Sequence, residues 1–240
     1  MRLAMLLAWM AVPLLFAFYH FGPGQDGVSN DLAGTQLHQA SLELKDGNWN
    51  VADAACTEAL ASLKSDDRTV EQRIRLERAK ARMLSQQLPA AYDDLTSLLG
   101  ELESEKDADP QLLAETQSAM ASAEYYVTWL MRLEGEPREN WELEIEASRQ
   151  RYRMLYEQAK TAGDDDAANE YAENVEAAVR LARMDLTDLE ALDLPSQCKS
   201  CCSGNCNCKC KKPGKKPGGK KKSEDARGAS SGPPADGKGS

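Results

Sequence analysis

The chain has 240 residues, of which 42% are hydrophobic but only 6% aromatic, and its formal net charge is -10. This length suits one domain of ordinary size with appendages. Ala, Leu, Glu and Arg recur in long stretches, and Gly and Pro gather mainly at the two ends, which argues against a β-sandwich or a doubly wound fold. Residues 198–240 carry 11 Lys and Arg against 3 Asp and Glu, so this tail is +8 and the rest is -18.

The N-terminal segment is strongly apolar. From Leu3 to Phe21 it reads LAMLLAWMAVPLLFAFYHF, without a formally charged residue. As a helix it would span about 28 Å at about 1.5 Å per residue, close to the roughly 30 Å hydrocarbon thickness of a bilayer. We therefore expect residues 1–24 to be a transmembrane signal anchor. The alternatives are a cleaved signal peptide, which would leave a secreted or periplasmic protein, and an apolar helix buried in the domain.

The charges on either side of this segment indicate its orientation. Arg2 and the free N-terminal amine precede it, whereas Asp26 and Asp31 follow it. Positive flanks stay on the cytoplasmic side of a membrane. We therefore expect a single-pass protein whose C-terminal body is extracytoplasmic.

Amphipathic helical patterns follow one another from Asp31 to Leu194. Apolar residues recur at i, i+3, i+4 and i+7 in segments such as 88–102 and 168–182, which predicts helices that each bury one face. Short breaks should make neighbouring helices antiparallel. The predicted helices are 31–46, 49–64, 68–87, 89–105, 110–134, 137–162 and 164–192.

The breaks between these segments contain residues that helix ends prefer. Pro89 and Pro137 suit first turns, Gly47 and Gly163 suit C-termini, and the acidic run 164–166 suits an N-terminus. A calcium loop is the alternative for the acidic run. It lacks both the usual ligand spacing and the distal Glu.

Residues 33–64 place small and aromatic residues at fixed spacings. These residues are Ala40, Gly47, Trp49, Ala52 and Ala59. Counted from residue 33, the pattern resembles a tetratricopeptide (TPR) repeat, a helical hairpin of about 34 residues. Gln36 and Gln39 depart from it, because the family usually has Trp and Leu there.

A second, degenerate copy follows about 39 residues later, in ERAKARMLSQQLPAAYDDLTSLL, and matches at Ala79, Leu88 and Ala91. Residues 110–162 resemble the family only as a pair of longer helices, and the helix from Asp164 would close the open end. Two further segments resemble parts of uncharacterised bacterial proteins, and this resemblance implies no function. They are residues 125–141 (YYVTWLMRLEGEPRENW) and residues 181–198 (LARMDLTDLEALDLPSQC). The fold class expected is all-α, with antiparallel helix hairpins in a short TPR-like solenoid, preceded by one transmembrane helix.

The TPR resemblance implies a binding groove lined by the first helix of each pair. At the matching positions stand Leu37, Ser41, Lys45, Arg73, Lys80 and Leu84. Arg73 and Lys80 could hold an acidic side chain or a terminal carboxylate of an unknown protein or peptide. The alternative is that Arg73 and Lys80 are ordinary solvated charges on a helix surface and bind no partner.

Aromatic residues cluster in the fifth predicted helix. Tyr125, Tyr126 and Trp129 lie at helical spacing, either as core residues or as a partner-binding patch. We do not expect catalysis, because His20 and His38 are the only histidines and there is no Gly-rich phosphate loop and no Gly-x-Ser-x-Gly.

Six of the seven cysteines fall within thirteen residues, at Cys198, Cys201, Cys202, Cys206, Cys208 and Cys210. Cys-x-x-Cys and Cys-x-Cys spacings let thiolates converge on zinc or copper. Outside the cytoplasm, disulfides or crosslinks to another chain compete with a metal. A third alternative is that the clustered cysteines have no specific role. Cys56 stands at a repeat packing position and should be a core residue.

Residues 195–240 are expected to form a disordered Cys-rich and Lys-rich tail, after a domain at 31–194. Eight lysines between Lys209 and Lys222 suit an anionic envelope polymer or lipid, or the acidic body of the chain itself. The alternative is a tail that keeps the protein soluble and has no binding target. Nucleic acid is a less favoured target for this tail, because it would require the opposite topology. Three functions stay open: a membrane-anchored protein-binding scaffold, a metal or thiol-redox module, and a polyanion-binding tail.

Overall fold

The computed structural model describes residues 9, 11–13, 23–63 and 68–198. Over these residues the fold is all-α and contains no β-strand, which confirms the predicted class. The helices are α1 (Pro23–Lys45), α2 (Trp49–Ser62), α3 (Arg68–Leu84), α4 (Leu88–Ser104), α5 (Pro110–Leu133), α6 (Arg138–Ala162), α7 (Asp165–Arg183) and α8 (Leu186–Ala191), and a 3₁₀ turn follows at Ser196–Cys198.

The helix boundaries differ from the predicted ones by more than three residues at two places. The first helix begins at Pro23 rather than at residue 31. The predicted helix 164–192 is interrupted, because Met184 takes an extended backbone conformation and ends α7. The chain then starts α8 in a new direction, so one predicted closing helix is two helices.

Helix ends follow the residue types expected for them. Gly47 and Gly163 have positive φ of 80° and 76°, a conformation that glycine adopts without steric cost. The Asp164 side chain accepts the amide hydrogen of Ala167 and caps α7. Pro137 immediately precedes α6 rather than lying in its first turn.

Helices that are consecutive in the chain pack against each other from α1 to α7. The helices α1, α3 and α5 also contact one another in that order, so they lie side by side. This stacking of neighbouring helices is compatible with a helical repeat fold. The alanines predicted to pack, including Ala40, Ala52, Ala59, Ala79 and Ala91, are all fully buried. Small side chains at these positions let the helices approach closely.

The helix α5 lies at the centre of the larger core. Every residue from Thr116 to Tyr126 is buried, so this helix is covered on all sides. Hydrogen bonds join α5 to α6. Ser148 of α6 donates a hydrogen bond to the Ala121 carbonyl oxygen at 2.8 Å, and the Ser122 and Tyr152 hydroxyls lie 2.8 Å apart.

The predicted membrane segment, residues 1–24, falls almost entirely outside the described residues. Among the helices that the structure does describe, none combines the length and the apolar character needed to cross a membrane. The predicted anchor therefore stays a prediction.

Candidate functional site

The predicted groove residues of α1 lie on or near the surface. Lys45 is exposed, and Ser41 is half-buried and donates a hydrogen bond to the His38 carbonyl oxygen at 2.7 Å. Leu37 is half-buried and packs against the N-terminal part of the core. A partner could therefore reach Ser41 and Lys45 without displacing core residues.

The two predicted basic residues of α3 both reach one carboxylate of α5. Arg73 Nη1 lies 2.8 Å from Glu115 Oε2, and Lys80 Nζ lies 3.4 Å from the same oxygen. Lys80 also pairs with Glu77 at 3.0 Å, and Arg73 with Asp109 at 3.8 Å. Arg73 and Lys80 are therefore already paired within the chain, and an acidic group of another protein as their partner stays a prediction.

These contacts favour the ionised form of Glu115. Burial alone would raise its pKa, but the hydrogen bond from Arg73 and the charges of Lys80 and Arg73 outweigh burial, so the pKa is lowered. The cluster of Arg73, Lys80 and Glu115 links α3 to α5 within the layer formed by α1, α3 and α5, which we call the layer of first helices. An acidic group of a partner would have to compete with Glu115 to bind here.

Leu84 corrects the predicted groove. Its side chain is 1% exposed and packs with Ile74 and Ala81 in the N-terminal part of the core. A surface role is therefore wrong for Leu84, because its side of α3 faces the preceding helices.

The predicted aromatic patch is part of the core. Tyr125, Tyr126 and Trp129 are 0%, 5% and 0% exposed. Tyr125 stands edge-on to both neighbours, with ring centroids 5.3 Å from Tyr126 and 6.2 Å from Trp129. An exposed partner-binding patch is therefore wrong for these side chains, and their large apolar area stabilises α5 among its neighbours instead.

The chain after α8 returns to the layer of first helices. The 3₁₀ turn contacts α5 and α3, and α8 also contacts α5. Leu189, Gln197 and Cys198 are buried. The Cys198 thiol donates a hydrogen bond to the Tyr126 carbonyl oxygen, with a distance of 3.6 Å from Sγ to O. Part of the surface between α3 and α5 is therefore already covered by the C-terminal segment of the chain.

The 3₁₀ turn of this covering segment lies at the start of the region predicted as the tail. The sequence contains one indication that this segment packs against the body. The apolar residues Leu186, Leu189 and Leu192 keep helical spacing up to Pro195. The spacing indicates a buried face but does not indicate which helices it meets. Glu115 was also missed, because an isolated Glu on a helix is usually solvated.

The cysteines divide between the core and the tail. Cys56 is fully buried, as predicted, and burial, followed by the charge of Glu77, raises the pKa of its thiol to about 12. Cys198 is 1% exposed. The other tail cysteines, Cys201, Cys202, Cys206, Cys208 and Cys210, lie outside the described residues. Within the described residues, no group of three or more His, Cys, Asp or Glu is arranged to hold a metal ion.

Comparisons with known proteins give no match to any family model, curated protein or solved structure. The likeness to TPR repeats therefore rests on the residues of the chain and on the stacking of its helices.

Proposed function

We propose that the protein is a membrane-anchored, TPR-like scaffold that binds a partner protein in the cell envelope. The binding surface is the layer of first helices, at α1 and its border with α3, with Ser41 and Lys45 as exposed contact residues. In this proposal the helices form antiparallel hairpins, and the N-terminal segment holds the protein at the membrane.

The segment after α8 supplies the main support. Its 3₁₀ turn packs onto α3 and α5, with Gln197 and Cys198 buried. The surface between α3 and α5 therefore accommodates a short segment of the chain. The neighbouring surface of α1 leaves Lys45 exposed, and extended peptides are what such layers generally bind.

Photocrosslinking in intact cells tests this proposal. A photoreactive amino acid at Ser41 or Lys45 should give a discrete crosslinked species with a partner protein. The matched control is the same amino acid at Arg153, an exposed position on α6. Crosslinking at Arg153 equal to that at Ser41 would contradict the proposal, because it would indicate chance encounters.

A second comparison separates the scaffold from the tail. The scaffold proposal predicts that removal of residues 199–240 leaves the crosslinking at Ser41 unchanged. The deletion must begin after Cys198, since Cys198 is buried in the body. Loss of the crosslink on this deletion would make the tail the binding element.

The metal or thiol-redox module and the polyanion-binding tail remain alternative functions. Burial of Cys198 leaves Cys201, Cys202, Cys206, Cys208 and Cys210 as the cysteines for a tail site. If the tail holds zinc or copper, the purified protein should retain stoichiometric metal, and Ser substitutions in these five should release it. Unchanged metal content in the substituted protein would exclude them as ligands.

A further inference from the structure

The helix α7 lacks the second helix that the other first helices have. After α1, α3 and α5 the chain forms a long helix that packs against the one before it. After α7 the chain turns at Met184, and the short α8 packs against α5 instead. Within the described residues, α7 therefore has no second helix of its own.

The side of α7 without a partner helix carries both apolar and charged side chains. Val175, Val179 and Met184 line an open depression of about 530 Å³ together with Glu176, Arg180 and Arg183. Arg180 and Arg183 are exposed at its border. No carboxylate of the described residues lies within 4 Å of either guanidinium. Partly exposed valines beside uncompensated arginines are typical of an interaction surface.

A helix pair within the same chain indicates what such a surface binds. On α3, Arg75 contacts Glu101 of α4 through two hydrogen bonds of 2.7 and 2.8 Å. Arg82 contacts Asp94 of α4 at 2.7 Å. In this pair the first helix supplies the arginines and the second supplies the carboxylates. A helix that covers α7 should therefore present carboxylates beside small apolar residues.

The opposite end of the stack carries that combination. On α2, Asp53 points towards α3 and accepts a hydrogen bond from Arg82 Nε at 3.0 Å. At about 100° per residue, Val51 and Glu58 lie about 140° to 160° around α2 from Asp53, and thus face away from α3. Val51 is 49% exposed, and Leu42 on the adjoining α1 is 46% exposed.

We propose that the exposed side of α7 binds the α1–α2 hairpin of a second copy of this chain, so that copies associate head to tail. Val175 and Val179 would meet Val51 and Leu42, and the arginines at the border of α7 would meet Glu58. This contact is heterologous, so association continues beyond a dimer, into a ring or an open chain, as concentration rises.

The Lys-rich tail fits the α7 surface less well. The tail carries eight lysines between Lys209 and Lys222, which Arg180 and Arg183 would repel. The α7 surface is separate from the layer of first helices that the proposed function uses, although Leu42 on the hairpin lies between Ser41 and Lys45 in the chain. The inference does not rest on the proposed function, because its test changes neither Ser41 nor Lys45.

Charge reversal in the full-length protein, held in lipid nanodiscs, tests the association. Two populations with different fluorescent labels are mixed, and energy transfer is followed as concentration rises. We expect R180E/R183E and, separately, E58R to weaken association about tenfold or more, because like charges then face each other. The matched control, R153E, reverses an exposed charge on α6 and should associate like the wild type.

Mixing the two reversed variants gives the decisive measurement. R180E/R183E mixed with E58R restores opposite charges across the contact, so association should return towards the wild-type level. If R180E/R183E and E58R each associate as strongly as the wild type, the contact lies on another surface, such as the N-terminal segment. This result would overturn the proposal. So would a wild-type protein that stays monomeric, or a mixture that fails to recover while each variant melts like the wild type.

Discussion

The thiol of Cys198 donates a hydrogen bond to the backbone carbonyl oxygen of Tyr126 at 3.6 Å, although 72 positions separate the two residues in the chain. Both residues are at most 5% exposed. The contact places Cys198 at the layer of first helices and not at the end of the stack.

Two truncations that differ by four residues test the importance of this contact. Removal of 199–240 should leave the thermal unfolding temperature unchanged, because it spares every residue that the structure describes as buried. Removal of 195–240 should lower the free energy of unfolding by about 2–4 kcal/mol, since it exposes the apolar surface that Cys198 covers. Thermal unfolding followed by circular dichroism measures both proteins. Equal stabilities would mean that the 3₁₀ turn adds nothing to the body.

Arg132 joins the C-terminal end of α7 to α5 and α6. Its guanidinium donates hydrogen bonds to the carbonyl oxygens of Leu181 and Met184, and it lies 4.8 Å from the centre of the Trp141 ring. Arg132→Met keeps much of the apolar length but leaves two carbonyl oxygens without these donors. We expect a loss of about 2 kcal/mol in stability.

Hydrogen exchange locates this loss within the chain. In Arg132→Met, amides at the end of α7 and in α8 should exchange faster than in the wild type, while those of α1 and α2 should not change. Arg153→Met, at an exposed position on α6, is the matched control and should shift stability by about 0.5 kcal/mol or less. Uniformly faster exchange across the chain would show that Arg132 supports the whole fold instead.

Local sequence patterns predict the helices well, because each helix is specified by its own apolar spacing and end residues. Gly163 illustrates this, since a glycine after a helical pattern requires no knowledge of the rest of the fold. The break at Met184 could not be predicted in this way. It coincides with the hydrogen bonds from Arg132, which lies 52 residues earlier in the chain.

The candidate site shows the same limit. The sequence predicts that Arg73 and Lys80 lie on one side of α3, because they are seven residues apart, close to two helical turns. It does not predict Glu115 as their common partner, since that contact depends on how α5 packs beside α3. Similarly, Tyr125 and Trp129 have a spacing that suits both core and surface, and only packing decides between them.

Ala52 occupies a position where α1 and α2 approach closely, and it is fully buried. Ala52→Leu adds three carbon atoms to a site without space, so we expect a loss of about 1–3 kcal/mol. Ala61→Leu, on the exposed side of the same helix, adds the same atoms in solvent and should change stability by about 0.5 kcal/mol or less. Chemical denaturation of both variants gives the comparison. Similar losses in the two would indicate a helix-propensity effect rather than close packing.

Glu124 on α5 is a buried carboxylate, 3% exposed, that is only partly compensated. Arg151 Nε lies 3.1 Å from its Oε1, and its Oε2 has no hydrogen-bond partner among the described residues. Burial raises the pKa of Glu124 from 4.5 to about 7, against the lowering effect of Arg151, and Glu144 adds a further increase. Glu144 itself accepts a hydrogen bond from the Tyr92 hydroxyl at 2.9 Å.

This raised pKa makes the protein less stable as pH rises. Because the folded state holds the proton more tightly than the unfolded state, the stabilisation is fully present below pH 4.5 and is lost as the pH rises through about 7. Relative to Glu124→Gln, which is uncharged at any pH, the wild type should lose about 2 kcal/mol between about pH 5 and pH 8. Chemical denaturation of both proteins at the two pH values measures this difference. Carboxylates with lowered pKa, such as Glu101 and Glu115, make the protein more stable as pH rises. Their contribution is the same in the wild type and in Glu124→Gln, so it cancels in the difference between the two proteins. A constant difference between the two proteins across this range would mean that Glu124 stays ionised in the folded state.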